Sequence, residues 1–304
     1  MSGHHHHHVD KDAKDTRVLF AVVINLALTV AQIVGGILSG SLALIADAIH
    51  NLSDAISLII AFAARKIAAR PADDKMTFGY GRAEVVAALV NYTTLIVIGV
   101  YLVYEAVQRF VHPEGVDGWL VVVIAAIALV VDVATALLTY ALSKESMNIR
   151  AAFLHNVSDA LGSLAVIVAG TLILLYDWRF IDPLVTLLIA GYILWQSFAE
   201  IGPVIRILML AAPPALQSQT VLDKMQTIGG VYGVHHLHLW QMQEHENAVQ
   251  AHIVIDAGRW DDADTVKDAI RQVLQESFAI THVTLELECA RHACAGAQSI
   301  GHKT

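Results

Sequence analysis

His50 and Asp54 stand four residues apart, and so do His155 and Asp159. The surrounding residues repeat as well: His50-Asn51-Leu52-Ser53-Asp54-Ala55 returns as His155-Asn156-Val157-Ser158-Asp159-Ala160. On a helix this spacing is one turn, so each His–Asp pair shares a face. Imidazole and carboxylate both ligate divalent transition metals. One pair from each of two helices makes an N2O2 set suited to a tetrahedral ion such as Zn²⁺. Both copies lie inside long apolar stretches, where ionisable residues are costly and usually functional. A single histidine there could be a hydrogen-bonded core residue; two symmetric pairs are harder to assign to packing alone.

The elements that must position these pairs follow from composition. The chain has 304 residues, of which 56% are hydrophobic and 15% charged, against about 25% charged in soluble proteins. Its mean hydropathy is +0.57. The apolar excess fills the first two thirds and stops near Pro213-Pro214. Six segments reach the roughly 20 residues needed to cross a bilayer: about 18–38, 42–64, 85–110, 119–142, 151–176 and 183–208. The expected organisation is an N-terminal tail (1–15), a six-helix membrane domain (16–210), a small soluble domain (211–288) and a C-terminal tail (289–304). The polar N-terminus and the long first apolar run do not read as a cleavable secretory signal. The run His4 to His8 reads equally as an expression tag or as a metal-binding tail. A net charge of −9 argues against nucleic-acid binding.

Charge asymmetry orients the spans. Lys11, Lys14 and Arg17 precede the first, and Arg65, Lys66, Arg70, Lys75 and Arg82 crowd the loop after the second. Lys144, Arg150 and Arg206 fall on the same side, whereas the opposite side offers only Arg109 and Arg179. The basic side is expected to be cytoplasmic, with both termini. The two His–Asp pairs then fall in the middle span of each three-span half. Those spans run in opposite directions and can bring the motifs together near the midplane, as in inverted-repeat transporters. Asp47, one turn before His50, is a further candidate ligand. Asp132, Asn25, Gln32 and Asn91 read as groups that orient ligands or bond between helices.

Beyond Pro213-Pro214 the pattern predicts a helix over 217–227, a strand over 235–242, a turn at Glu244 to Asn247, a strand over 248–256, a helix to Phe278 and a strand over 280–288. The order αββαβ suggests a small sheet covered by two helices, a ferredoxin-like α+β layer. In the last strand Val283, Leu285 and Leu287 face one way, and His282, Thr284, Glu286 and Glu288 the other. His252 shares a face with Gln250. A histidine and carboxylates on adjacent strands can bind metal; a solvated polar face is the alternative. The density of His235, His236, His238, His245 and His252 favours metal. Cys289, His292 and Cys294 are further candidate ligands, although a frayed tail is the simpler expectation. Two cysteines do not make a disulfide framework.

These residues together resemble the cation diffusion facilitator family, near its bacterial zinc, cobalt and cadmium resistance branch. The resemblance rests on Ser39-Gly40-Ser41-Leu42-Ala43-Leu44, Leu44 to His50, Arg70-Pro71-Ala72-Asp73, Thr77-Phe78-Gly79, His238-Leu239-Trp240 and Thr281-His282-Val283-Thr284. It implies a homodimeric, proton-coupled exporter of divalent metals in the inner membrane of a bacterium. Zn²⁺ is the first expectation, and Co²⁺, Ni²⁺ and Cd²⁺ remain open. The transport site it implies is His50, Asp54, His155 and Asp159. Its soluble-domain ligands fall on His235, His252 and Glu286, with Glu288 nearby. Two departures stand out. Met76 and Tyr80 occupy positions where some members carry metal-binding histidines, and Asp132 stands where many relatives have an amide.

Two other classes fit the sequence less well. An intramembrane metalloprotease would need a motif such as His-Glu-x-x-His, which the sequence lacks, so no enzyme is expected. A membrane-tethered metal sensor would leave the repeated midplane pairs without a task.

Overall fold

The computed structural model describes residues 26–142, 147–244, 246–291, 293–294 and 296–301. His4 to His8, Lys11, Lys14, Arg17, Asn25, Lys144, His245 and His292 lie outside them. The chain divides into two compact units. One takes the residues up to Ile60 with Val90–Ala199, the other Ala61–Leu89 with Glu200–Thr304.

The membrane-type helices are α1 (Leu26–Ser39), α2 (Leu42–Ala68), α3 (Arg82–Val111), α4 (Gly118–Leu142), α5 (Met147–Tyr176) and α6 (Ile181–Leu208). Five of these, α2 to α6, are long and apolar enough to cross a membrane. Helix α1 is the described part of the first expected span and is shorter than a bilayer crossing. Val97, Val130, Leu137, Leu161, Leu188 and Trp195 are each more than half exposed. Such apolar surface is unfavourable in water and suited to hydrocarbon, where the helix satisfies its own backbone.

Helix junctions in the first unit are held by polar side chains. Gly40 ends α1 with φ +72°, a left-handed conformation that glycine adopts without strain. Ser41 caps α2, its Oγ accepting the Leu44 amide at 3.1 Å. Ser41 donates in turn to Asp182 at 2.5 Å, and Asp182 also accepts the Leu42 amide at 2.8 Å. Asp182 is 1% exposed and so fastens the start of α2 to the start of α6. Arg109 lies 3.9 Å from Asp182 and 3.3 Å from Glu114, and donates to the Gly40 carbonyl. Asp117 accepts the Trp119 and Leu120 amides and begins α4.

Helices α2 and α5 run antiparallel. Moving up α2, Ala43 and Leu44 cluster with Val166, Asp47 meets Ser163, His50 meets Asp159 and Asp54 meets His155. Each step forward on one helix is a step back on the other. Helices α4 and α5 approach closely at Gly118 and Gly170. A Cβ on Gly118 would lie 2.6 Å from the Gly170 carbonyl oxygen, so a larger residue there would push the helices apart.

The second unit contains α7 (Ser218–Gln226), β1 (Val231–Gln243), β2 (Glu246–Ile255), α8 (Ala263–Phe278) and β3 (His282–Cys289). The order αββαβ matches the expectation. Strand β1 is antiparallel to β2, and β2 is parallel to β3; α8 supplies the crossover that a parallel pair requires. Val221 and Met225 of α7 and Val266, Ile270 and Leu274 of α8 bury against Leu237, Val249, Ala251 and Ile253. Val283, Leu285 and Leu287 pack on this core, leaving Glu286 and Glu288 on the opposite face as alternation required.

Two features differ from expectation. Strand β1 starts at Val231 rather than His235, and its register shifts between His235 and His238. His236 has φ +51°, so the extra residue forms a bulge. The C-terminal tail is not frayed in its described part. His236 and Leu237 donate their amides to the Gln298 and Ser299 carbonyls at 2.9 and 3.1 Å, and Gly301 donates back to Leu237 at 3.0 Å.

Candidate metal centres

The repeated pairs close into a ring. The His50 Nε2 lies 3.8 Å from Asp54 and 3.5 Å from Asp159. The His155 Nε2 lies 3.2 Å from Asp54 and 3.5 Å from Asp159. Each imidazole thus faces one carboxylate of its own helix and one of the opposed helix. The two rings stand edge to face with centroids 6.1 Å apart. Ligand atoms of His50, Asp54 and Asp159 lie within 4.8 Å of one another. Asp54 Oδ2 and Asp159 Oδ1 are buried without a hydrogen-bond partner. His50, Asp54 and Asp159 are thus grouped closely enough to hold one ion, whereas His155 reaches both carboxylates but falls outside that group.

Asp47 takes no place among these ligands. It is 3% exposed and accepts from Gln32 Nε2 at 2.7 Å, while Asn51 Nδ2 donates to Gln32 Oε1 at 3.3 Å. Ser163 Oγ lies 3.4 Å from Asp47 and 2.9 Å from Asp132. Asp47, Asp132, Gln32 and Asn51 therefore form a connected polar network beside the ring. Asn91, also expected to be an interhelical polar group, accepts from Ser57 at 2.7 Å. In the loop after α2, Asp73 accepts the Lys75 and Met76 amides and the Tyr80 hydroxyl. The Tyr80 hydroxyl and these amides hold its carboxyl below the ordinary range. Asp73 serves its own turn, and Met76 and Tyr80 provide no imidazole there.

The second set lies on the open face of the three-stranded sheet. His252 is paired with His235 on β1 and with Glu286 on β3. Its Nε2 lies 3.3 Å from Glu286, and its Nδ1 bonds Glu288 at 2.6 Å. The bulge adds His236, which the sequence marks only as one of several neighbouring histidines. The rings of His235, His236 and His252 stand 4.9 to 5.2 Å apart. The signal in the sequence was Val234-His235-His236-Leu237, two polar residues in succession between core positions. Strict alternation forbids that pattern and a bulge permits it.

Two groups of donors meet at His252: His235, His236, His252 and Cys294, and His252, Glu286 and Glu288. Burial works to raise the Glu288 carboxyl. The hydrogen bond from His252, the Cys294 amide and the two imidazoles outweigh it, and the carboxyl lies below its ordinary value. Burial, with the nearby Glu288 charge, pushes the Cys294 thiol up. Among the described residues, His238 pairs with Gln250 further along the strand and joins neither group. Cys289, at the end of β3, also joins neither.

Residues 18–209 match the family described as "Cation efflux transmembrane domain", and residues 213–290 match "Cation efflux protein, cytoplasmic domain". The chain is 34% identical over 293 residues to the "Cadmium, cobalt and zinc/H(+)-K(+) antiporter" of Bacillus velezensis, covering 95% of this chain and 93% of that protein. It is 35% identical to "Zinc transporter ZitB" of Pectobacterium atrosepticum, over 95% of this chain and 89% of that protein. It is 31% identical to "Metal cation efflux system protein CzcD" of Cupriavidus metallidurans, over 99% of this chain and 94% of that protein. With both the membrane and the cytoplasmic regions matched in order, the chain belongs to the cation efflux family.

Proposed function

We propose that this protein carries divalent transition-metal cations, Zn²⁺ foremost, out of the cytoplasm in exchange for protons, by alternating access at the ring His50–Asp54–His155–Asp159. The ring itself carries the reading: four donors from two antiparallel helices converge where apolar side chains otherwise dominate. The relatives support the substrate class, since their names give zinc, cobalt and cadmium. Co²⁺, Cd²⁺ and Ni²⁺ fit the same donors less selectively.

Proton coupling follows from ligand chemistry. Metal needs neutral imidazole and ionised carboxylate, so metal and protons compete for the same atoms. With a proton on Nε2, each imidazole can bridge the carboxylates that otherwise face the ion. Metal arriving from the cytoplasm displaces those protons. The helices rock, and protons from the far side compete the metal off. The protein works as a homodimer in the inner membrane of a bacterium with both termini cytoplasmic. The basic ends of α2 and α3 support that orientation, whereas Arg109 and Arg179 on the other side are held by carboxylates.

The cytoplasmic donors that meet at His252, His235 on one side and Glu286 on the other, act as a regulatory metal site. Metal there favours one transport state if its affinity differs between states. Arg82 at the start of α3 donates to the Met242 carbonyl of β1 at 3.1 Å, a contact that would let the strand bear on that helix. The alternative of a tethered sensor leaves the ring unexplained.

The test is zinc flux in proteoliposomes with and without an imposed pH gradient. Uptake that follows the gradient, with proton movement in the opposite direction, is expected. Absence of zinc flux, or zinc flux indifferent to the gradient, would overturn the proposal.

A further inference from the structure

We infer that Asp182 is the latch of an extracytoplasmic gate, holding the outer ends of α2 and α6 together over a dry apolar plug while the ring stands open toward the cytoplasm. This rests on the transport reading and the orientation proposed above, and it names the part that must yield before metal can leave.

Three observations carry it. First, the ring is unevenly exposed. The side chains of Asp54 and His155, the pair nearer the basic side, are 35% and 40% exposed. Those of His50 and Asp159, the pair nearer the opposite side, are 13% and 12% exposed. Second, a plug closes the way outward from the buried pair. Ala43 and Leu44 of α2, Val121 and Ala125 of α4, and Val166 and Ala169 of α5 are at most 1% exposed, and Val185 of α6 packs with them. Leu44 precedes His50 by six residues and Val166 follows Asp159 by seven, so the plug lies about 10 Å along the helices from the ring. Third, Asp182 fastens the outer end of this plug. It begins α6 three residues before Val185, yet it serves the start of α2. It accepts the Ser41 hydroxyl at 2.5 Å, the Leu42 amide at 2.8 Å and the Ala43 amide at 3.3 Å. Arg109, at the end of α3, lies 3.9 Å from the same carboxylate and donates to the Gly40 carbonyl.

A divalent ion cannot cross the closed plug, because apolar side chains offer nothing in exchange for its ligands or water. The plug must therefore part in the half of the cycle that faces outward, and α6 must come away from the start of α2. Asp182 opposes that movement. It caps a helix other than its own, and a carboxylate among the first amides of a helix makes strong, charge-assisted bonds there. Pulling α6 away without admitting water would leave a buried charge and the first amides of α2 unpaired. Once water enters, it satisfies the same groups. The junction thus has two arrangements, dry and shut or wet and open, with no favourable state between them.

The experiment places a thiol in the plug, Val166→Cys, in the full-length chain carrying Cys289→Ser and Cys294→Ser. A membrane-impermeant maleimide is added outside spheroplasts, and the rate of labelling is measured. Labelling is expected to be slow with Asp182 in place. Asp182→Asn should speed it at least about tenfold, the scale of losing charge-assisted hydrogen bonds, and Ser41→Ala by about threefold, the scale of losing one. Asp117→Asn is the control: it removes the cap of α4 at the same end without touching the bond between α2 and α6, and should leave labelling slow. Thiol labelling as fast with Asp182 as without it overturns the inference. So does equal exposure by Asp117→Asn, which would mean general loosening rather than release of a latch. If Asp182→Asn does not fold, as judged by gel filtration, Ser41→Ala decides, and unchanged labelling in that variant overturns the inference. Labelling needs neither metal nor flux, so failure of the latch and failure of zinc transport are read separately.

Discussion

The membrane ring and the cytoplasmic cluster both gather histidines and carboxylates, yet they are built in opposite ways. The ring uses one motif twice, on two helices, and each copy is complete within a single turn. The cluster takes one or two residues from each of three strands and one from a tail, and needs a bulge to bring His236 round. Repetition on antiparallel helices gives a nearly symmetric site, one that an inverted movement of the two halves can expose to either side. The cluster has no such symmetry and sits on a small sheet whose core is continuous behind it. That architecture suits a site that binds and holds. The difference is what the proposed division, transport at the first and control at the second, rests on.

The sharpest way to break the comparison is to remove a donor from each. Asp54→Ala or Asp159→Ala is expected to cut zinc flux by about 100-fold or more, beyond the ~10–100-fold cost of losing an outer-shell partner. His235→Ala combined with His252→Ala should leave maximal flux within a few-fold and alter the metal concentration at which flux responds. Proteoliposome assays on the two variants measure both quantities. Equal losses would erase the division of labour.

Next in size is the polar network beside the ring. Ser163→Ala disconnects Asp132 from Asp47, and Gln32→Ala removes the amide that holds Asp47 and Asn51. Either is expected to weaken zinc binding at the ring by about tenfold, the lower range for support residues. Calorimetric titration of the detergent-solubilised protein would detect it, and unchanged affinity would show that the ring needs no such support. A smaller effect is expected from His50→Asp. Exchanging an imidazole for a carboxylate should lower the ratio of Zn²⁺ to Cd²⁺ flux by a few-fold, because oxygen donors and a looser cavity discriminate less. A constant ratio would argue against His50 as a direct ligand.

The smallest effect concerns the cluster and its pH dependence. The Glu288 carboxyl lies below its ordinary 4.5, held down by His252, the Cys294 amide and the neighbouring imidazoles against the opposing effect of burial. A carboxyl lowered by folding adds stability above its unfolded value, and that stability is lost as pH falls through the folded value. Thermal midpoints of wild type and Glu288→Gln should therefore differ by a constant amount above about pH 5 and converge as the pH drops below 4.5. A difference that grows on acidification would show that the sign is wrong.

Much of this molecule was legible in the sequence, and the reasons are physical. Long apolar runs have few solutions other than helices that cross a bilayer. The four-residue spacing fixed which faces of α2 and α5 carry donors. Alternation in β3 by itself separates Val283, Leu285 and Leu287 from Glu286 and Glu288. The joint presence of many short motifs pointed to the family that the comparisons then established. Tertiary structure decided what no local pattern contains. The burial of Asp47 among Gln32, Asn51 and Ser163 made it a network residue rather than a fifth ligand, because its partners come from elements distant in sequence. The bulge at His236 brought that residue beside His235 and His252 and left His238 further along the strand, because a one-residue shift of register changes which side chains share a face. The tail gained a role only when residues 298–301 found the unpaired amides at the edge of β1, since an edge strand presents donors that any nearby backbone can satisfy.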